Sequence, residues 1–261
     1  MSRPLFLITN DDGIHAQGIK HLWDAFREFA DLAIVAPNAE RSGSGAAITN
    51  FHPLRVAKIS WEDDTPAWSI SGTPADCVKM GITVLLPRHP DMVLSGINCG
   101  SNSGRTLLYS GTVGGAIEGT LKGIPSIAFS FVDHEFPPIG SVKKSLTTLV
   151  NHFLTHPIPK GSLININFPH NCHKGMKGFR MAKQGRGHWI ENPDHRIQPE
   201  GVPYYWLGSR WSDHEEIDPN SDVALLNEGY AAVVPVRIDD LTDHETLRYH
   251  NDKFAFIDQN R

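Results

Sequence analysis

Residues 5–14, Leu-Phe-Leu-Ile-Thr-Asn-Asp-Asp-Gly-Ile, constrain this chain more than any other stretch. Leu5–Ile8 is a short, wholly apolar run, the pattern of a strand covered on both faces as in a parallel sheet. It stops at an amide, two adjacent carboxylates and a glycine. Open α/β sheets bind ligands at the carboxyl ends of their strands, so Asp11 and Asp12 stand where a site would be built. Two neighbouring carboxylates stay ionised together at little cost only beside a cation. Asp-Gly is also an ordinary turn dipeptide. The later strand ends decide between a site and a turn.

After Gly13 the apolar residues Ile19, Leu22, Trp23, Phe26 and Ala30 fall at helical spacing. Leu32–Ala36 is a second short strand, so a βαβ unit closes at Pro37. No G-x-G-x-x-G follows the first strand, which argues against a dinucleotide-binding dehydrogenase. The second strand delivers a Ser/Gly loop, Asn38–Gly45, containing Ser42. Leu54–Ile59 and Trp68–Ile70 read as a short hairpin beside the main sheet. Thr73, Pro74 and Asp76 form a helix start, with Val78 and Ile82 facing inward. Met92–Ser95 is the next strand, and it runs into the uncharged loop Gly96–Gly104, which carries Asn98 and Asn102. A helix of small residues starts near Ser110-Gly111-Thr112, and its free N–H groups make an anion cradle. Ile124–Phe131, a helix marked by Val142, Leu146, Leu149, Val150 and Phe153, and Leu163–Phe168 continue the alternation of a doubly wound, mostly parallel α/β sheet.

Beyond Pro169 the texture changes. Lys174–Trp211 is rich in glycine, histidine and aromatics, and reads as hairpins protruding toward a second subunit. Pro219–Glu228 is a candidate helix, Tyr230–Val236 a last strand and Thr242–Tyr249 a terminal helix. The expected organisation is a catalytic core over residues 1–170 and an extension over 171–261 that partly returns to that core.

Composition narrows the partners. A net charge of -5 leaves no broad basic footprint for a nucleic-acid polymer. No apolar run is long enough to span a bilayer, and no leader pattern opens the chain. Cys77, Cys99 and Cys172 are widely spaced, which fits a reducing, cytoplasmic setting rather than a disulfide framework. His152 and His156 lack the glutamate of H-E-x-x-H, and His170-Asn171-Cys172-His173 matches no standard zinc spacing. The basic Lys183–His188 stretch reads as a hairpin tip or subunit contact, with phosphate contact second.

Three strand ends thus offer Asp11 and Asp12, Ser42, and Asn98. Carboxylates, a hydroxyl and an amide are hard oxygen ligands, suited to Mg²⁺ or Mn²⁺. Beside them lies the neutral cradle of Asn102, Ser110, Gly111 and Thr112. A hard cation next to a phosphate pocket equips a site for phosphoryl transfer to water, with Asp11 or Asp12 orienting or deprotonating that water. Phosphatases with an aspartyl nucleophile typically separate two aspartates by one residue, unlike the adjacent pair here. A receiver-like signalling module would place a third aspartate where Ser95-Gly96-Ile97-Asn98 stands.

Five blocks of the sequence resemble the SurE (survival protein E) family of metal-dependent nucleoside-monophosphate phosphatases. They are Thr9-Asn10-Asp11-Asp12-Gly13, Arg41-Ser42-Gly43, Ser71–Val78, Ser95-Gly96-Ile97-Asn98 and Tyr109-Ser110-Gly111-Thr112-Val113. The resemblance implies a Rossmann-like core and a protruding C-terminal region used in homodimers or tetramers. It also implies one divalent cation per subunit on Asp11, Asp12, Ser42 and Asn98. The implied reaction is release of phosphate from 5′- or 3′-nucleotides, sometimes from short polyphosphate. Gln198 and Ser221 depart from the family's more usual aspartate and threonine, and Cys99 and Arg105-Thr106 depart within the glycine-rich loop.

Overall fold

The computed structural model describes residues 3–212 and 218–258. Its centre is a sheet of nine strands in the order β3-β4-β2-β1-β5-β6-β7-β13-β8. The parallel heart comprises β1 (Leu5–Thr9), β2 (Asp31–Pro37), β5 (Met92–Cys99), β6 (Ser126–Phe131) and β7 (Ser162–Phe168). β3 (Val56–Ile59) and β4 (Ala67–Ile70) form the expected hairpin, and β4 joins the main sheet by pairing parallel to β2. At the other edge β13 (Ala231–Arg237) runs antiparallel to β7, and β8 (Phe179–Met181) pairs parallel to β13.

Alternating side chains of β1 explain the two covered faces. Phe6 and Ile8 pack with α1 (Gln17–Phe26) and α4 (Lys143–Thr155), through Ile19, Leu22, Leu146 and Val150. Leu7 packs on the opposite face with Val78 of α2 (Pro74–Met80) and with Ile82 just beyond it. Helix α2 starts as its sequence dictates, with a capping box between Thr73 and Asp76 and proline in the first turn. Helix α3 (Gly111–Leu121) lies on the same face as α2. Its small residues bring it hard against the strands: a Cβ on Gly115 would come 2.9 Å from Thr9 Cγ2 and 2.9 Å from Ser95 Oγ.

Chain connectivity places the site. From β1 the chain goes to β2 on one side, and β5 enters on the other side of β1. The sheet therefore changes winding direction between β1 and β5, the crevice where such sheets bind ligands.

Several boundaries differ from the sequence expectation. Glycine at position 96 reads as the end of the third parallel strand, yet β5 runs on to Cys99. Pairing of Asn98 with Ser130 and of Cys99 with Phe131 carries it past an irregularity after Ser95. The last helix, α6 (His244–Asp258), is longer than Thr242–Tyr249 because no glycine or proline interrupts it. Helix α5 (Asp222–Asn227) is shorter than Pro219–Glu228. In the aromatic-rich stretch, β9 (His188–Glu191) pairs with β12 (Ser209–Ser212), and β10 (Asp194–Ile197) with β11 (Pro203–Trp206), a long arm of two nested antiparallel ladders. Among the described residues no helix is long and apolar enough to cross a membrane.

Candidate active site

At the end of β1 the loop through Gly13 is pinned from both sides. Asn10 Nδ2 donates to the Gly13 carbonyl at 3.0 Å. Ile14 N donates to Pro37 O at 2.9 Å, and Arg41 N to Asp11 O at 2.7 Å. The acidic pair and the Glu40–Ser42 loop are thereby held together.

Asp11 is almost fully buried, at 3% exposure. The Thr112 hydroxyl donates to its Oδ1, and the backbone amides of Gly111 and Thr112 face the same carboxylate. Asp11 therefore sits on the positive end of α3, where an anion is stabilised. Burial nevertheless raises its pKa, against the lowering effect of these hydrogen bonds. Gly111 is required by this approach: a Cβ there would come within 2.8 Å of Asp11 Oδ2 and 2.7 Å of Ser44 Oγ.

Asp12 is the less satisfied partner. Its Oδ2 is buried without a hydrogen bond. Burial, then the charges of Asp11 and Glu40, push its pKa up to about 7. Glu40 is a third acidic group that the sequence pattern did not single out, although it lies in the loop that carries Ser42.

Asn98 lies one residue before the end of β5, on the far side of the switch point. Its Nδ2 donates to Gly100 O at 2.7 Å, which fixes the amide and leaves Oδ1 as the end able to meet a ligand. Ser42 is exposed, and its hydroxyl donates to Glu40 Oε1 at 2.8 Å. Thus Asp11, Asp12 and Asn98 come from adjacent strands, whereas Ser42 reaches the pair through Glu40.

The residues expected to form a phosphate cradle have partners within the chain. Thr112 and Gly111 direct their polar groups to Asp11, and the Ser110 hydroxyl caps α3 by accepting from Val113 N at 3.1 Å. Asn102 is buried, with Nδ2 donating to Ser130 Oγ at 2.8 Å and its backbone N to Asn167 Oδ1 at 2.8 Å. The spacing of the sequence carries no signal that the helix terminus is directed at a carboxylate of the chain itself.

The donor set fits a hard cation. A buried and a half-buried carboxylate, one with an orphaned oxygen, call for a positive charge, and an amide oxygen is available from the neighbouring strand β5. Among the described residues no cluster of three or more His, Cys, Asp or Glu side chains is arranged to hold a metal. The aspartates would thus rely on amide and hydroxyl oxygens to complete the shell, which disfavours zinc.

Residues 6–191 match the family described as Survival protein SurE. A protein of Protochlamydia amoebophila named 5'-nucleotidase SurE is 45% identical over 257 residues, covering 98% of this chain and 97% of its own length. The chain belongs to the SurE family. Another SurE relative, also named 5'-nucleotidase SurE, from Pelotomaculum thermopropionicum, is 43% identical and covers 92% of each chain. A crystal structure of the SurE protein from Aquifex aeolicus superposes with a TM-score of 0.81 at 36% identity, over 94% of this chain and 98% of that one. The departures from the family pattern are accommodated locally. Ser221 caps α5 as a threonine would, accepting from Ala224 N at 3.2 Å, and Gln198 closes the β10–β11 turn through its backbone. Cys99 Sγ points to Asp133 O at 3.7 Å, and burial raises its thiol pKa, with Asp12 adding to the effect.

Proposed function

We propose that this chain is a 5′-nucleotidase that releases phosphate from nucleoside 5′-monophosphates by attack of water. The observation that supports it most is the adjacent Asp11–Asp12 pair at the sheet's switch point, with the Asp12 Oδ2 orphaned and Asn98 on the neighbouring strand β5. Membership of the SurE family and the names of the relatives support the same reading. 3′-Monophosphates and short polyphosphate are further substrates of the same chemistry.

One divalent cation per subunit, Mg²⁺ or Mn²⁺, would be held by Asp11, Asp12 and Asn98, with Ser42 after its hydroxyl leaves Glu40. When bound it supplies charge neutralisation at phosphorus and acidifies water. Everything else falls to the chain. Thr112 and the first amides of α3 fix Asp11 so that its carboxylate does not swing. Asp12 orients the attacking water and accepts its proton at Oδ2. Asn98 presents its amide oxygen from a fixed rotamer, since Nδ2 is tied to Gly100. Asn102 and the Ser110–Thr112 turn border the phosphoryl oxygens.

Two ligand carboxylates gripping one charge are poor nucleophiles, which favours direct attack by water over a phospho-aspartate. A chiral thiophosphate substrate separates the two. A single displacement gives inversion at phosphorus, whereas retention would mean a covalent intermediate and would overturn the assignment of both aspartates as ligands.

A further inference from the structure

Side chains of β7 alternate between the two layers that cover the sheet. Ile164, Ile166 and Phe168 join the cluster around α1 and α4, whereas Leu163 packs with Val113 and Ala116 of α3. Asn165 and Asn167 follow Leu163 in the row that faces α3, and both are fully buried. Ser130, the register partner of Asn167 on β6, is fully buried as well. Polar side chains in such a row are costly unless they find partners.

All three meet one residue. Asn102 N donates to Asn167 Oδ1 at 2.8 Å, and Asn165 Nδ2 donates to Asn102 O at 2.9 Å. Asn102 Nδ2 donates to Ser130 Oγ at 2.8 Å. The two side-chain amides do for the backbone of Asn102 what a neighbouring strand would do, holding its N–H and its carbonyl together. Their grip is one-sided. Asn165 Oδ1 and Asn167 Nδ2 are buried without a hydrogen bond, so each amide uses only the half that meets Asn102. Half-satisfied amides in a core call for an explanation beyond packing, and the residue they hold supplies it.

We propose that Asn165 and Asn167 are positioning residues for the reaction, acting through Asn102 on the phosphoryl group. The proposal rests on the nucleotidase reading above and adds what fixes the phosphate end of the site. Asn102 lies in the segment that joins Asn98 of β5 to the start of α3. Ser130 takes one of its two Nδ2 hydrogens and leaves the second for a phosphoryl oxygen. With the backbone clamped and the amide oriented by Ser130, that donor is set before substrate arrives, the condition under which a hydrogen bond stabilises developing charge. Asp11 and Asn98 are held by other groups, Thr112 and the Gly100 carbonyl. Releasing Asn102 therefore leaves the proposed cation ligands in place.

The test compares wild type, Asn165→Ala, Asn167→Ala and Ser130→Ala by calorimetry with Mn²⁺ alone and with inorganic phosphate in the presence of Mn²⁺, alongside hydrolysis of adenosine 5′-monophosphate. Both asparagine variants should bind phosphate about tenfold more weakly, the loss of one hydrogen bond to a charged oxygen. Their kcat/KM should fall at least as far, with the affinity for Mn²⁺ alone unchanged. Ser130→Ala, which removes a single oxygen, should weaken phosphate in the same direction, and it carries the test should an asparagine variant fail to fold. In an Asn102→Ala background, adding Asn167→Ala should weaken phosphate no further, because the donor that Asn167 positions is already gone. Additive losses in that pair would overturn the proposal. So would wild-type phosphate affinity in every variant with only a lower denaturation midpoint, or no binding of phosphate to wild type. Failure of wild type to hydrolyse the nucleotide while the phosphate affinities follow the expected order would instead defeat the nucleotidase reading and leave the positioning role supported.

Discussion

Asp11 and Asp12 are neighbours in sequence but occupy different environments. Asp11 has four polar partners around its carboxylate environment in the Thr112 side chain and the amides of residues 11, 111 and 112, whereas Asp12 Oδ2 has none. Replacing either by asparagine should lower kcat at least ~100-fold, about 2.7 kcal/mol of transition-state stabilisation; steady-state assays with saturating cation check this. Stability of the cation-free protein should respond differently. Folding raises the Asp12 pKa from 3.8 to about 7, so the folded chain holds this proton more tightly than the unfolded one. Stability is then lost as pH rises from 3.8 toward 7 and levels off above. Asp12→Asn removes that loss. In chelator, its urea midpoint should exceed that of wild type at pH 8 and match it near pH 3.5, the carboxyl being protonated in both states at the lower pH. Equal midpoints at both pH values would mean that Asp12 is relaxed in water rather than buried against like charges.

Among the elements, α3 does the positioning. Its Gly114 lies so close to the loop after β2 that a Cβ would come 2.0 Å from Gly45 O and 3.1 Å from Ala46 Cα. In an exposed helix interior Gly→Ala gains about 1 kcal/mol. Here the obstacle is backbone, which cannot rotate away, so the loop bearing Ser42 must move. Gly114→Ala should therefore lower the denaturation midpoint and weaken cation binding measured by calorimetry. A more stable protein with unaltered cation affinity would show that the helix and loop are loosely packed. The acidic pair, the Thr73 cap and the small-residue helix were legible because each is written in a few consecutive residues. What could not be read is what distant segments supply. The Asp222 carboxylate meets Gly104 across 118 positions, and Trp211 meets Gly187 through a ladder whose register lies in no local motif. The continuation of β5 past Gly96 was hidden for the same reason, since β6 supplies the pairing.

On the scale of the whole molecule, the arm made by β9–β12 has little covering it. Ile197, Val202, Tyr205, Trp206 and Leu207 are all more than half exposed. Clustered exposed apolar side chains of this kind mark interaction sites, and the second copy of a symmetric homodimer is the commonest occupant. Light scattering at micromolar concentration should find a dimer or tetramer, and deleting residues 195–205 should shift it toward monomer. A monodisperse, active, full-length monomer would contradict this. Winding reversal between β1 and β5 brings Asp11, Asp12 and Asn98 to one crevice of the sheet, where we propose they act as a cation-dependent phosphatase site. Phosphate release from adenosine 5′-monophosphate after exhaustive chelation, followed by re-addition of Mg²⁺ or Mn²⁺, tests it most directly. The expected result is loss of turnover on chelation and recovery with either ion, with no recovery in Asp12→Asn. Undiminished turnover in the chelated wild-type protein would contradict it.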